Sequence, residues 1–75
     1  MAKLLADNID IEETLAIARL DLDSNKELVV MAAIEILGKY GEESDIDALE
    51  ELAENTDSDD VLELIGDAVG KIADI

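Results

Sequence analysis

Asp21, Asp23 and Asn25 stand at the alternate spacing with which a helix-flanked calcium loop opens. Such a loop needs a glycine at its sixth position for the sharp turn and a glutamate at its twelfth to close the coordination shell. Here those positions hold Lys26 and Ala32. Both decisive positions fail, so the sequence assigns no metal, and Ser24 reads better as a helix cap. Other chemistry is narrowed by what is missing. The chain has no Cys and no His, which removes disulfides, thiolate nucleophiles, imidazole acid–base work and the usual zinc ligands. Carboxylates are abundant, 21 Asp and Glu in 75 residues, so no one pair is distinctive. A general acid also needs a pocket that raises its pKa, and a chain this small has little room for one. There is no glycine-rich phosphate loop. The expectation is a non-catalytic protein without a cofactor.

The charge balance points to partners. Five Lys and Arg against 21 Asp and Glu give a net charge of −16. Direct nucleic-acid binding is excluded, because phosphates need Lys and Arg and because the single aromatic, Tyr40, offers no stacking platform. A basic protein surface is the natural electrostatic complement. The chain is 49% apolar, too much for a disordered polyanion. No apolar run approaches the roughly 20 residues of a membrane span, and no signal peptide is visible. We therefore expect one soluble, cytoplasmic domain over residues 1–75, with Met1 suggesting a complete chain.

Four helical stretches must position these groups. There is no Pro, so Gly, Asn, Asp and Ser mark the turns. The first helix is expected from about Ile11 to Leu22, capped by Asp10 with Glu13 at capping-box spacing. Ile11, Leu15, Ala18 and Leu22 form its inner face; Ile17 and Leu20 lie opposite. The second is expected from about Asn25 to Tyr40, with Ser24 and Glu27 as a capping box and Gly41 in the left-handed C-terminal position. It is apolar almost all round apart from Glu35 and Lys39, which predicts a central helix. The third runs from about Asp45 to Asn55 behind Ser44 as cap, and buries Ile46, Leu49, Leu52 and Ala53. The fourth runs from about Asp59 to Ile75, with one strongly apolar face built on Val61, Leu62, Leu64, Ile65, Ala68, Val69, Ile72 and Ile75. Gly38 and Gly70 fall inside helices, where they are expected to permit close packing.

The sequence repeats internally. Val29, Leu37, Gly38, Lys39, Tyr40 and Glu42 match Val61, Val69, Gly70, Lys71, Ile72 and Asp74 at an offset of 32 residues. Leu15, Ala18, Asp23 and Ser24 match Leu49, Leu52, Asp57 and Ser58 at an offset of 34. The difference falls in a turn, where a length change is cheap. On these residues the chain resembles the HEAT-repeat family, within it the short lyase-type repeats, whose second helix carries V-R-x-A-A-x-x-A-L-G-x-I-G-D. Val29, Ala32, Ala33, Leu37, Gly38, Gly41 and Glu42 fit one copy; Val61, Ala68, Gly70, Ile72 and Asp74 fit the other. The family's usual Arg is Val30 here and Leu62 in the second copy, so its inter-repeat charge ladder is missing. The resemblance implies an all-α fold of two helix-turn-helix units, 9–41 and 42–75, in a small right-handed solenoid or four-helix bundle. It implies work by protein–protein contact. Two units leave apolar ends, at Ile17 and Leu20 and at Leu62 and Val69, which are candidates for a protein partner or a homodimer unless Met1–Ala6 serves as a lid.

Between Tyr40 and Gly70 there is no Lys or Arg and there are twelve carboxylates. Glu43, Asp47, Glu50, Glu51 and Glu54 fall within about 100° of arc on the third helix and its leading edge. Asp57, Asp59 and Asp60 continue the charge through the next turn. Like charges at this spacing cost about 0.2–0.5 kcal/mol per pair. The uncompensated stripe is read as a surface for a basic partner. One alternative is mimicry of nucleic-acid phosphates, in the manner of small acidic helical inhibitors from viruses and mobile elements. A second is a carrier protein: acyl carrier proteins are of this size, helical and acidic, and Asp23-Ser24 and Asp57-Ser58 are similar to their D-S-L motif. Neither Ser is followed by Leu, and Ser24 has the better placement for a prosthetic group. The remaining alternative is a face that only solvates the fold.

Overall fold

Asp10 opens the helical path by a local hydrogen bond: its Oδ1 accepts from the Glu13 backbone N–H at 3.1 Å. The structure is a computed structural model that describes residues 10–74. It contains α1 (Ile11–Asp21), α2 (Glu27–Tyr40), α3 (Ser44–Asn55) and α4 (Asp59–Ala73), and no strand among the described residues. All four helices lie where the apolar spacing predicts them, each within a few residues at its ends. The expected lid, Met1–Ala6, lies outside the described residues.

Helix α2 packs against both α1 and α4, and α3 packs against α4. Its four buried residues, Val30, Ala33, Ile34 and Leu37, form the middle of the core. Leu15, Ala18 and Leu22 close on it from α1, and Val61, Ile65 and Ala68 from α4. Leu49 is the fully buried contribution of α3. Ile11, expected on the inner face, is 46% exposed at the first position of α1. The all-round apolar character of α2 does not make it buried all round: Leu28 is 80% exposed and Ala32 is exposed.

Several turn expectations are corrected. Ser24 does not cap α2; its Oγ accepts from the Lys26 N–H at 3.1 Å and builds a local turn, and Lys26 takes the cap position without a side-chain hydrogen bond. Ser44 lies inside α3, not ahead of it, and Glu43 is the cap residue. Gly41 is extended, at φ −75° and ψ 179°, and the left-handed residue is Asp74 at φ 57° and ψ 47°. Glycine is still required at 41 for space, since a Cβ there would collide with the Leu37 carbonyl and stand 2.9 Å from Asp45 Oδ2. Gly38 does permit close packing: a Cβ there would lie 3.0 Å from both Cα and Cβ of Ala68. Gly70 does not serve that role, since a Cβ there would meet nothing within 4 Å.

Ser58 caps α4 as its position suggests, accepting from the Val61 N–H at 3.3 Å. Its hydroxyl also donates to Glu27 Oε2 at 2.9 Å, tying the first turns of α4 and α2 together. The two helices therefore start side by side.

Candidate protein-binding surface

The acidic surface is built on α3, whose inner face is fixed by Leu49 and by one buried carboxylate. Asp45 is 4% exposed. Its Oδ1 accepts from Arg19 Nε at 2.7 Å and its Oδ2 from Arg19 Nη2 at 2.9 Å, the forked geometry that an arginine offers a carboxylate. Oδ2 also accepts from the Glu42 backbone N–H at 2.9 Å, which satisfies an otherwise open donor at the start of α3. The Arg19 hydrogen bonds are the main reason the Asp45 carboxyl is held below the ordinary range; burial pushes the other way, and the Glu42 N–H adds to the lowering. The Asp45 hydrogen bond likewise raises the Arg19 guanidinium above its ordinary value. Arg19 Nη2 lies 3.6 Å from Glu42 Oε2, a more exposed contact.

This pairing was invisible to a reading of local charge. Asp45 counts among the twelve carboxylates between Tyr40 and Gly70, yet it belongs to the interior. The cation that neutralises it comes from α1, 26 residues earlier. Two apolar positions, Leu15 and Ala18, place α1 against the core and so carry Arg19 to the edge of α3. The signal available in the sequence was an arginine one position beyond a buried alanine, too common a pattern to single out.

The remaining stripe residues all face solvent. Glu43, Asp47, Glu50, Glu51 and Glu54 are exposed along α3, and Asp57, Asp59 and Asp60 are exposed in the turn and the start of α4. Among the described residues, ion pairs form only around Arg19, so none of these eight carboxylates is bridged. The last turn of α3 carries no basic residue to offset the carbonyl end of its dipole. Beside the stripe, between α1 and α3, runs a groove of about 460 Å³ walled by Arg19, Leu22, Asp23, Ala48, Glu51, Leu52 and Asn55. Glu51 belongs to both stripe and groove.

The apolar candidates divide. Ile17 is 54% exposed and Leu20 74% exposed on the outer face of α1. Leu62 is exposed and Val69 half-buried on α4. Ser24 sits half-buried in the turn between α1 and α2, with its Oγ engaged by the Lys26 N–H. Among the described residues there is no cluster of carboxylates arranged to hold a metal ion. No helix among them is long and apolar enough to cross a membrane.

A family model described as HEAT repeats matches residues 1–70. No curated protein and no solved structure matches the chain. The family match extends over all of the first three helices and most of the fourth. The chain belongs to the HEAT-repeat family, whose members are generally protein-interaction modules and typically non-catalytic.

Proposed function

We infer that this protein is a non-catalytic interaction module that presents the outer face of α3 and the turn after it to a basic protein. The observation that carries this reading is the uncompensated stripe. Eight carboxylates from Glu43 to Asp60 face solvent, and among the described residues none is bridged by Lys or Arg, in a small domain whose stability is reduced by their repulsion. The one carboxylate of this region that is neutralised, Asp45, is the one the fold buries. The adjoining groove supports the reading, because it combines Asp23 and Glu51 with apolar area for the stem of a Lys or Arg, and its one cation, Arg19, is already engaged by Asp45 and Glu42.

Capture of bound proteins at low and at high salt tests this. A basic partner released by salt, and lost when Glu43, Asp47, Glu50 and Glu54 are changed to Lys, is the expected result. Binding indifferent to both salt and charge reversal would sink it. Competition between that partner and duplex DNA for this surface would narrow the reading to phosphate mimicry, and indifference to DNA would remove mimicry.

A further inference from the structure

The two outward faces of the α2–α4 pair are, by register, the two halves of the interface between them. α2 begins at Glu27 and α4 at Asp59, the same 32-residue offset that relates Gly38-Lys39 to Gly70-Lys71. At that offset Val30, Ile34, Leu37 and Gly38 correspond to Leu62, Gly66, Val69 and Gly70. On α2 the three apolar members are buried, and Gly38 receives Ala68 of α4 at the limit of contact. Among the described residues, the corresponding register on α4 is open. Leu62 is 39% exposed, Val69 is half-buried, and a Cβ on Gly66 or Gly70 would meet nothing within 4 Å.

The complementary half is open on α2. The seam between the two helices is lined by Leu64 and Ala68 of α4 facing Glu35 and Gly38 of α2. One unit earlier, Leu64 and Ala68 correspond to Ala32 and Ile36, and Leu28 lies one turn before Ala32 on the same stripe of α2, in the register of the exposed Asp60. Ala32 is exposed, Ile36 is half-buried, and Leu28 is 80% exposed. Bulk is exchanged between the faces: Gly66 stands where α2 has Ile34, and Ile36 stands where α4 has Ala68. A notch on one end of the molecule thus matches a larger side chain on the other.

We propose that a second copy of this chain docks its α2 onto the open face of α4, head to tail, so that the α2–α4 packing continues from one molecule to the next. Ile36 of the second copy seats over Gly66 and Gly70, and Leu28 of the second copy covers the end of the Leu62–Val69 face. The contact is heterologous, because it joins two different surfaces, and each added copy presents a fresh α4 face. Net charge opposes it: two chains of −16 repel until salt screens them. Stacking therefore strengthens with salt, the opposite of the response expected for a basic partner on the α3 stripe. The two readings stand or fall separately.

Analytical ultracentrifugation of the full chain at about 0.1 M and about 1 M salt tests the proposal, since the Debye length falls from roughly 10 Å to roughly 3 Å over that range. Two variants, each with charge unchanged, block one face apiece. Gly66→Gln with Gly70→Gln fills the notch, and Leu28→Gln with Ile36→Gln removes the opposing apolar side chains. Circular dichroism checks that each keeps its helix content. Should Ile36→Gln disturb the fold, Leu28→Gln with Ala32→Gln serves, since the exposed Ala32 holds the register of the seam residue Leu64. The expected result is association that tightens about ten-fold or more with salt in the parent. Each variant alone is then monomeric, and a mixture of the two stops at a one-to-one dimer, since each retains the face the other lacks. A parent that stays monomeric at high salt and high concentration overturns the proposal. So does either variant that still self-associates like the parent, or a mixture that forms no dimer.

Discussion

Arg19 on α1 grips Asp45 on α3 through two hydrogen bonds, Nε to Oδ1 at 2.7 Å and Nη2 to Oδ2 at 2.9 Å. The carboxylate is buried and the guanidinium side chain is 39% exposed. Removing the cation leaves a buried charge with a single backbone donor, whereas the neighbouring Glu42 contact is long and solvated. Arg19→Met is expected to destabilise the fold by about 1–2 kcal/mol, the lower part of the range for charged hydrogen bonds because water reaches the guanidinium. Glu42→Gln is expected to change stability by less than about 0.5 kcal/mol. Urea unfolding of the three proteins checks the order.

Acid removes the same pairing from the other side. The Asp45 carboxyl is held below its ordinary value of 3.8 in the folded protein, chiefly by Arg19. A lowered folded value means that the stabilisation is present above 3.8 and is lost as the pH falls through the lower folded value. Arg19 is raised above its ordinary value, chiefly by its hydrogen bond to Asp45, and stays charged throughout this window. The stability difference between the parent and Asp45→Asn, followed by denaturant from about pH 6 to about pH 2, is expected to hold near neutrality and to shrink toward zero in acid. A difference that stayed constant to the lowest pH would show that the ionised Asp45 contributes nothing.

The helix glycines separate into one that packing requires and two that it does not. A Cβ at position 38 would press on the Ala68 backbone, so Gly38→Ala is expected to cost about 1–3 kcal/mol through displacement of α4 from α2. Gly66 and Gly70 open onto free space inside a helix, so replacing either with Ala is expected to stabilise by about 0.5–1 kcal/mol through the unfolded chain and helix propensity. Thermal melts at low protein concentration and low salt read all three without interference from association.

Stability and partner binding should move in opposite directions at Glu54. It follows Glu50 by one helical turn, in the last turn of a helix with no basic residue there. Glu54→Lys converts a repulsive pair into an attractive one and complements the helix dipole, for a gain of about 0.5–1 kcal/mol. The same change is expected to weaken capture of a basic partner. Melting temperature and salt-dependent capture measured side by side check both signs.

Screening by salt is expected to raise the melting temperature of the dilute protein. Relief of about 1 kcal/mol of repulsion among the carboxylates corresponds to about 4–8 °C for a domain of this size. A melting temperature that falls with salt would mean that attractive pairs, rather than the net charge of −16, dominate the electrostatics.

Apolar spacing alone determined the number and placement of the helices, the central position of α2, and the repeat that places the chain in its family. That periodicity is imposed by burial, and burial patterns survive in one dimension. The sequence also marked the acidic residues of α3, because an exposed helix face is a local property. What only the tertiary structure decided lies between elements. Ser24 and Ser44 have good capping residue types, yet the cap positions went to Lys26 and Glu43: the Ser24 hydroxyl accepts within its own turn, and α3 begins one residue early, beside the Glu42 N–H that donates to Asp45. Gly38 and Gly70 occupy the same place in the repeat, yet one is crowded and one is free, because only α2 has another helix lying on that register. Arg19 and Asp45 are separated by a turn, a whole helix and a second turn, and their pairing arises from how α1 and α3 are docked. Residue type and spacing record which faces of a helix are buried, and the packed chain alone settles which neighbour buries them.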